Sequence, residues 1–440
     1  MRTILYFLIF ALGSAGAPTW AENLTLKDAL SEALSASPQA QQADSRYKQA
    51  TWEKRGALKG FLPQVSASAN YITSQHYLYT DIDFGGAPVS VPQIIPTSNL
   101  TLQAQLPLFD GFASTNNYFS KSANEEAQEH LRDWTRFSLK RQVEEEYFQV
   151  VAAKLMKAVS DQNIKTLKDH LRDTQLQKKS GISTQYDVLQ VEVQVSNAEA
   201  ELLNAADNIE IAKMNLRETL GRKEVDFDVE GSLPELRAEL IDALSFESAV
   251  QERKDLKGLE LEAESLEKAS SASNRFWVPQ IGLFGQYQYY NNRNQRFDDW
   301  DNYRDAYQFG FSMTWNLFDG MGSLSKSQET AEVSYQAQKS LEGARLKAKS
   351  DFEIWKRKYV YNCRVYQAKL SDVKKAEESV RLAKEGRRVG VRTNTDFLDA
   401  ESELYGAQAG AVKAQLGALQ ALLHLELAVG KELTQFEGVQ

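Results

Sequence analysis

Leu108-Phe109-Asp110-Gly111 returns as Leu317-Phe318-Asp319-Gly320, an offset of 209 positions. The same offset carries Gly181, Thr184, Asp187, Leu189 and Glu192 onto Gly390, Thr393, Asp396, Leu398 and Glu401, and Gly221 onto Gly430. About half of the chain is therefore duplicated in tandem, and a repeat at a fixed offset constrains the architecture before any local pattern does. Residues 22–231 read as the first copy and residues 232–440 as the second. Each copy holds a strand hairpin, at about 62–110 and 278–319, followed by two very long helices, at about 111–220 and 320–430.

The prolines delimit the helices. Pro63, Pro88, Pro92, Pro96 and Pro107 cluster around one segment, Pro234 lies between the copies and Pro279 opens the second strand region. No proline lies between Pro107 and Pro234 or after Pro279. Proline inside a helix costs about 3 kcal/mol, so these stretches, rich in Ala, Glu, Lys, Gln and Leu, permit long helices. Val188, Val191, Val195, Ala198, Leu202, Ala205, Ile209, Ala212 and Leu216 alternate spacings of three and four, which is a coiled-coil seam. Moved by the offset, the seam becomes Phe397, Ala400, Leu404, Ala407, Ala411, Ala414, Ala418, Ala421 and Leu425, where alanine lets helix axes approach closely. The preceding helices, from Gly111 to Ser180 and from Gly320 to Val389, could each reach on the order of 100 Å. Gly181 and Gly390 interrupt the pattern, and Thr184 and Thr393 follow as N-caps, so each glycine marks the tip of a helical hairpin. Val225 to Val229 alternates like a short strand in the linker between the copies.

Met1 to Ala21 has the makings of a secretory signal: Arg2, an apolar core from Ile4 to Leu12, then small residues with cleavage after Ala17 or Ala21. Neither cut exposes a cysteine for a lipid anchor, and Cys363, the only cysteine, can form no intrachain disulfide. The formal net charge of -9 argues against nucleic acid as a partner. No later segment reaches 18 consecutive apolar residues, which excludes a helical membrane span but not a β-barrel.

The strands have period two. Tyr307, Phe309, Phe311, Met313, Trp315 and Leu317 share one face, and Gln308, Gly310, Ser312, Thr314 and Asn316 the other. Leu100, Leu102, Ala104, Leu106 and Leu108 repeat the alternation, as do Ile281, Leu283, Gly285, Tyr287 and Tyr289. Such segments fit transmembrane strands around a watery lumen, with Tyr77, Tyr79, Tyr289, Tyr290, Trp300, Tyr303 and Tyr307 as an interfacial girdle. They also fit the edge of a soluble sandwich; export and the lack of further strands favour the barrel. Strand edges cannot stay bare in lipid, and four strands are too few to close. Two, three or four chains would then share one barrel of eight, twelve or sixteen strands.

Together, these features resemble the TolC family of outer-membrane efflux and secretion channels. The resemblance rests on the Leu62-Pro63-Gln64 and Val278-Pro279-Gln280 openings of the hairpins, the paired Leu-Phe-Asp-Gly exits and the long heptad helices. The segment Val389-Gly390-Val391-Arg392-Thr393-Asn394-Thr395-Asp396-Phe397-Leu398-Asp399-Ala400 carries it most specifically. It implies a mainly α chain with a β-hairpin region. Three such chains would form a homotrimer, with a twelve-stranded barrel in the outer membrane of a Gram-negative bacterium continuous with a helical coiled-coil barrel in the periplasm. Its partners would be a periplasmic adaptor protein and an inner-membrane transporter of the RND, ABC or MFS type. By the same resemblance Asp396 and Asp399 match an acidic ring at the pore constriction, and Asp187, Arg387 and Arg392 match links between neighbouring tip helices. Arg387 stands where a well-studied member has an aromatic residue, and could pair with Asp187 instead.

No enzymatic constellation stands out. His76, His130, His170 and His424 lack metal-ligand spacing and read as incidental, and Cys363 reads as a buried helix residue. Asp298, Asp299 and Asp301 lack the glycine and distal glutamate of a calcium loop. The expectation is a passive export duct without cofactor or resident metal. The alternative is a periplasmic or surface coiled-coil scaffold with no pore.

Overall fold

The computed structural model describes residues 22–434, apart from 77, 84, 94, 226, 237–240, 242–243, 248–250, 252 and 294–295. The signal segment, Tyr77 of the expected girdle and Asp226 of the linker strand lie outside the described residues. The chain divides into two compact units, one formed by residues up to 43, 133–254 and 346 onward, the other by 44–132 and 255–345. These are not the sequence copies: each unit draws segments from both.

Helices make up most of the first unit and part of the second, to which residues 44–57, 113–132, 255–273 and 322–345 of them belong. Helix α1 (Leu26–Ala36) and α2 (Pro38–Ala57) precede the long α3 (Ala113–Lys179) and its partner α4 (Gln185–Leu220). After α5 (Lys254–Ser273) the pair recurs as α6 (Gly322–Arg388) and α7 (Asn394–Val429). Lengths of 67 and 36 residues are conserved from pair to pair, every boundary moving by the same 209 positions. On α4 the expected seam is buried from Val188 to Leu216, except that Leu202 is half-buried against the same cluster. On α7, Phe397, Ala400, Ala411, Ala418, Ala421 and Leu425 are buried, joined near the C-terminal end by Leu419, Leu422 and Leu423. There the helix is apolar almost all round and forms the main core with Leu139, Val143, Phe148, Leu216 and Leu220. Each such fully buried leucine contributes about 1.5–3 kcal/mol.

The linker strand is β6 (Phe227–Val229), shorter than its alternation suggested, and it pairs in parallel with β1 (Glu22–Leu24) at the start of the described chain. Tyr147 staples the pair, donating its hydroxyl to the carbonyls of Leu24 at 3.2 Å and Glu230 at 2.6 Å. A buried ion cluster lies in the same unit. Arg141 donates to Glu426 and, at 2.9 Å, to Glu432, while Glu144 Oε2 lies 3.1 Å away out of hydrogen-bonding alignment. Burial pushes the Glu144 carboxyl up to about 8, with Arg141 opposing the shift and Glu426 adding to it. The other Glu426 oxygen accepts from the backbone N–H groups of Leu433 and Thr434.

The second unit is built on an antiparallel sheet of order β2 (Gln64–Tyr71), β5 (Ser98–Phe109), β7 (Gln280–Asn291) and β8 (Arg304–Thr314). The longer first connection carries its own small hairpin, β3 (Tyr79–Ile82) with β4 (Val89–Pro92). Pro107 is accommodated where the β5–β7 register shifts, as proline in a sheet requires. The last strand stops at Thr314 although the alternation runs on to Leu317, because its partner begins at Gln280 directly after Pro279. Beyond that point Trp315 bonds instead through its indole N–H to the Trp277 carbonyl, at 3.0 Å.

Candidate functional site

Two surfaces carry the chemistry, one on each unit. On the sheet, the register aligns Ala67, Leu102, Tyr287 and Tyr307 in one row and Val65, Ala104, Gly285 and Phe309 in the next, all on one face. Leu106, Leu283 and Phe311 continue it, and Ile281 with Met313 ends it. Among the described residues nothing covers the β8 end of this face: Tyr307, Phe309 and Phe311 are 74, 78 and 76% exposed. A contiguous apolar face of this kind marks a lipid or protein contact rather than a surface for water. Among the described residues no strand pairs with the outer edge of β2 or of β8. At one end Tyr289, Trp300 and Tyr303 stack with ring centroids 5.0–6.5 Å apart.

The second surface is formed by the two hairpin tips of the helical unit. Gly181 and Gly390 take φ of +76° and +79°, where a side chain would be strained. Each ends its helix in the same way. The N–H of the following residue, Ile182 or Val391, reaches back to Gln177 or Gly386, and the glycine N–H itself to Lys178 or Arg387. The next helix opens with a reciprocal capping box. Thr184 and Asp187 exchange side-chain and backbone bonds, and so do Thr393 and Asp396. Asp187 and Asp396 are thus the same residue of the repeat in the same local role. The backbone and hydroxyl of the capping threonine hold each carboxyl below the usual carboxylate range. Asp399, one turn into α7, is exposed and free of the cap.

Arg392 lies 3.8 Å from Asp396 and folds back along Gly386, where a β-carbon would come within 2.6 Å of the arginine chain. Arg387 is not joined to Asp187 within the chain. Its guanidinium lies 5.3 Å over the ring of Phe397, and its Nη1 is 3.5 Å from His170 Nε2. His170, which reads as incidental in the sequence, is buried between the two hairpins. Its Nε2 is 2.6 Å from Asn394 Oδ1 at the start of α7, its ring is 4.5 Å from Phe397, and its Nδ1 is buried with no hydrogen-bond partner among the described residues. Burial, with the Arg387 charge adding to it, pulls the imidazole down to about 4, so it is neutral at ordinary pH. Gln190 Nε2 completes the contact by reaching Thr395 at 3.4 Å. Leu398 fills an apolar cluster with Ile164, Leu167, Val191 and Val195. The offset that generates the repeat puts Ser379 opposite His170, so this imidazole occurs in one copy only. That asymmetry was the one sequence signal that could have found it.

The family model described as outer membrane efflux protein matches residues 29–222 and 246–431, one match per copy, the two ending 209 positions apart. Among solved structures, the outer-membrane channel OprN is 18% identical, with 93% of this chain and 90% of that one covered and a TM-score of 0.78. VceC from Vibrio cholerae is likewise 18% identical, covering 93% and 97%, with a TM-score of 0.75. MtrE of Neisseria gonorrhoeae, solved in its open state, is 18% identical, covering 96% and 94%, with a TM-score of 0.74. No curated protein matches the chain by sequence.

Proposed function

The chain belongs to the outer membrane efflux protein family, and on that premise we propose that it is the exit duct of a tripartite efflux pump or type I secretion system, set in the outer membrane of a Gram-negative bacterium and extending into the periplasm. The observation that carries this reading is the four-stranded sheet with one exposed apolar face and two bare edges. Lipid accepts that face but not those edges, so copies of the chain must join edge to edge until the sheet closes. Three copies give a barrel of twelve strands, within the range that membranes hold. A homotrimer of this kind carries six helical hairpin tips at its periplasmic end, where an adaptor protein and an inner-membrane RND, ABC or MFS transporter dock.

The tip carries the gate. Asp399, and Asp396 where its cap leaves an oxygen free, form acidic rings around the axis, as in cation-selective pores. Asp187, Arg387 and Arg392 link neighbouring tip helices between chains. The duct itself does no chemistry; it opens by changes in helix packing that its partners drive.

Single-channel recording of the detergent-purified protein, with the mass of the assembly measured alongside, tests the proposal. The expected result is a trimer giving small cation-selective currents, with Asp396→Ala plus Asp399→Ala weakening both the selectivity and the block by divalent cations. A chain that stays soluble without detergent as a monomer or dimer and gives no current would replace the duct with a coiled-coil scaffold.

A further inference from the structure

The face of the sheet opposite the apolar one has a composition that the duct reading does not require. Its rows run Gln64, Gln105, Phe284, Gly310, then Ser66, Gln103, Gln286, Gln308, then Ser68, Thr101, Gln288, Ala306. Gly282 with Ser312 and Gln280 with Thr314 extend it at one end, and Asn70, Asn99, Tyr290 and Arg304 at the other. Seven glutamines stand on this face, and Arg304, in the last row, is its only charged residue among those described. Gln308 donates through Nε2 to Gln286 Oε1 at 2.7 Å, which orients the two amides along their row.

A polar lumen can be made in two ways. Charged residues raise the local concentration of one sign of solute about 10- to 1,000-fold and exclude the other. Primary amides wet the wall just as well, each offering two N–H donors and one carbonyl acceptor, with no net charge. This face relies on amides and hydroxyls, with Arg304 the one charge among its described residues, although a quarter of the whole chain is charged. We infer that the glutamine belt makes the barrel a charge-indifferent exit: cationic, anionic and neutral polar solutes meet the same hydrogen-bonding wall, and sorting by charge is left to the helical tip. The inference rests on the duct reading, which decides that this face lines water.

The test is thiol labelling of the assembled protein in lipid vesicles at low ionic strength. Gln286→Cys is exposed to a cationic and to an anionic methanethiosulfonate, and attachment is followed by intact mass. Cys363, the only native thiol, is 3% exposed, and the wild-type chain reports any background. After correction for the reagents' intrinsic rates, the two should label within about twofold of each other, whereas adding Gln308→Glu should favour the cationic reagent several-fold. A bias of about tenfold without the added glutamate would overturn the belt's neutrality while leaving the duct standing. Labelling of Phe309→Cys with Gln286→Cys protected would invert the two faces and remove the duct reading with the inference. Protection of Gln286→Cys in a protein that conducts would sink the belt alone.

Discussion

Acidification should loosen the contact between the two helical hairpins through His170. The imidazole has its pKa at about 4 in place against 6.5 free, so the buried contact prefers the neutral ring. The sign follows from linkage. The contact is at full strength above pH 6.5, weakens as pH falls towards 4 and loses nothing further below that. The slope approaches about 1.4 kcal/mol per pH unit in the middle of that window and flattens at its ends, so a drop from about pH 6.5 to about 4.5 removes about 2 kcal/mol, or about fortyfold in the local opening equilibrium. The groups around the ring agree with this direction. Arg387 from α6 would repel an imidazolium, Asp173 on α3 offsets it only in part, and Asn394 and Phe397 from α7 are uncharged. Asp187 and Asp396, held low by their caps, stay ionised over most of the window. Amide hydrogen exchange of residues 164–175 and 394–400, corrected for intrinsic rates, reads the opening directly. His170→Gln keeps an N–H for Asn394 but cannot titrate, so its corrected exchange should be flat with pH. A flat wild-type profile, or an equal pH response in the variant, would refute the reasoning.

Other perturbations test the surrounding framework. Arg141→Ala leaves Glu426 buried without its cation and should cost about 3–5 kcal/mol, seen as a large fall in the thermal midpoint in detergent. Glu144→Gln mimics the protonated carboxyl; because the wild-type pKa is raised, its advantage should be absent near pH 4.5 and grow to a few kcal/mol as pH rises towards about 8. Thr393→Ala removes one half of a capping box and should cost about 1 kcal/mol locally, measured as faster proteolytic nicking around residues 389–393.

The helices were legible because their signals are local. Freedom from proline, a glycine at each turn and a threonine three residues later fix the ends of α3, α4, α6 and α7 nearly to the residue. The seam is likewise written in spacing alone. The end of β8 was not, because pairing depends on where β7 begins and not on the alternation of β8 itself. The small β3–β4 hairpin lies among prolines and glycines that mask its pattern, and the parallel pairing of β6 with β1 joins segments some 200 residues apart. The two compact units escaped the sequence for the same reason: the repeat records how the chain was copied, while packing mixes the copies. At the tip, the turns and the capping residues were visible as motifs. His170 was not, since its role comes from Arg387, Asn394 and Phe397 arriving from the other copy.

The bare edges of β2 and β8 also bear on inheritance. A strand edge that must be met by a sister chain makes each subunit answerable for its neighbours. A variant that folds its helices but spoils the outer edge of β8 would still be recruited, and would then leave an adjoining wild-type subunit unsealed. In a cell making both forms, most assemblies would contain at least one faulty seam, so such a lesion should behave as a dominant one. A lesion that prevents the chain from folding at all would be recessive.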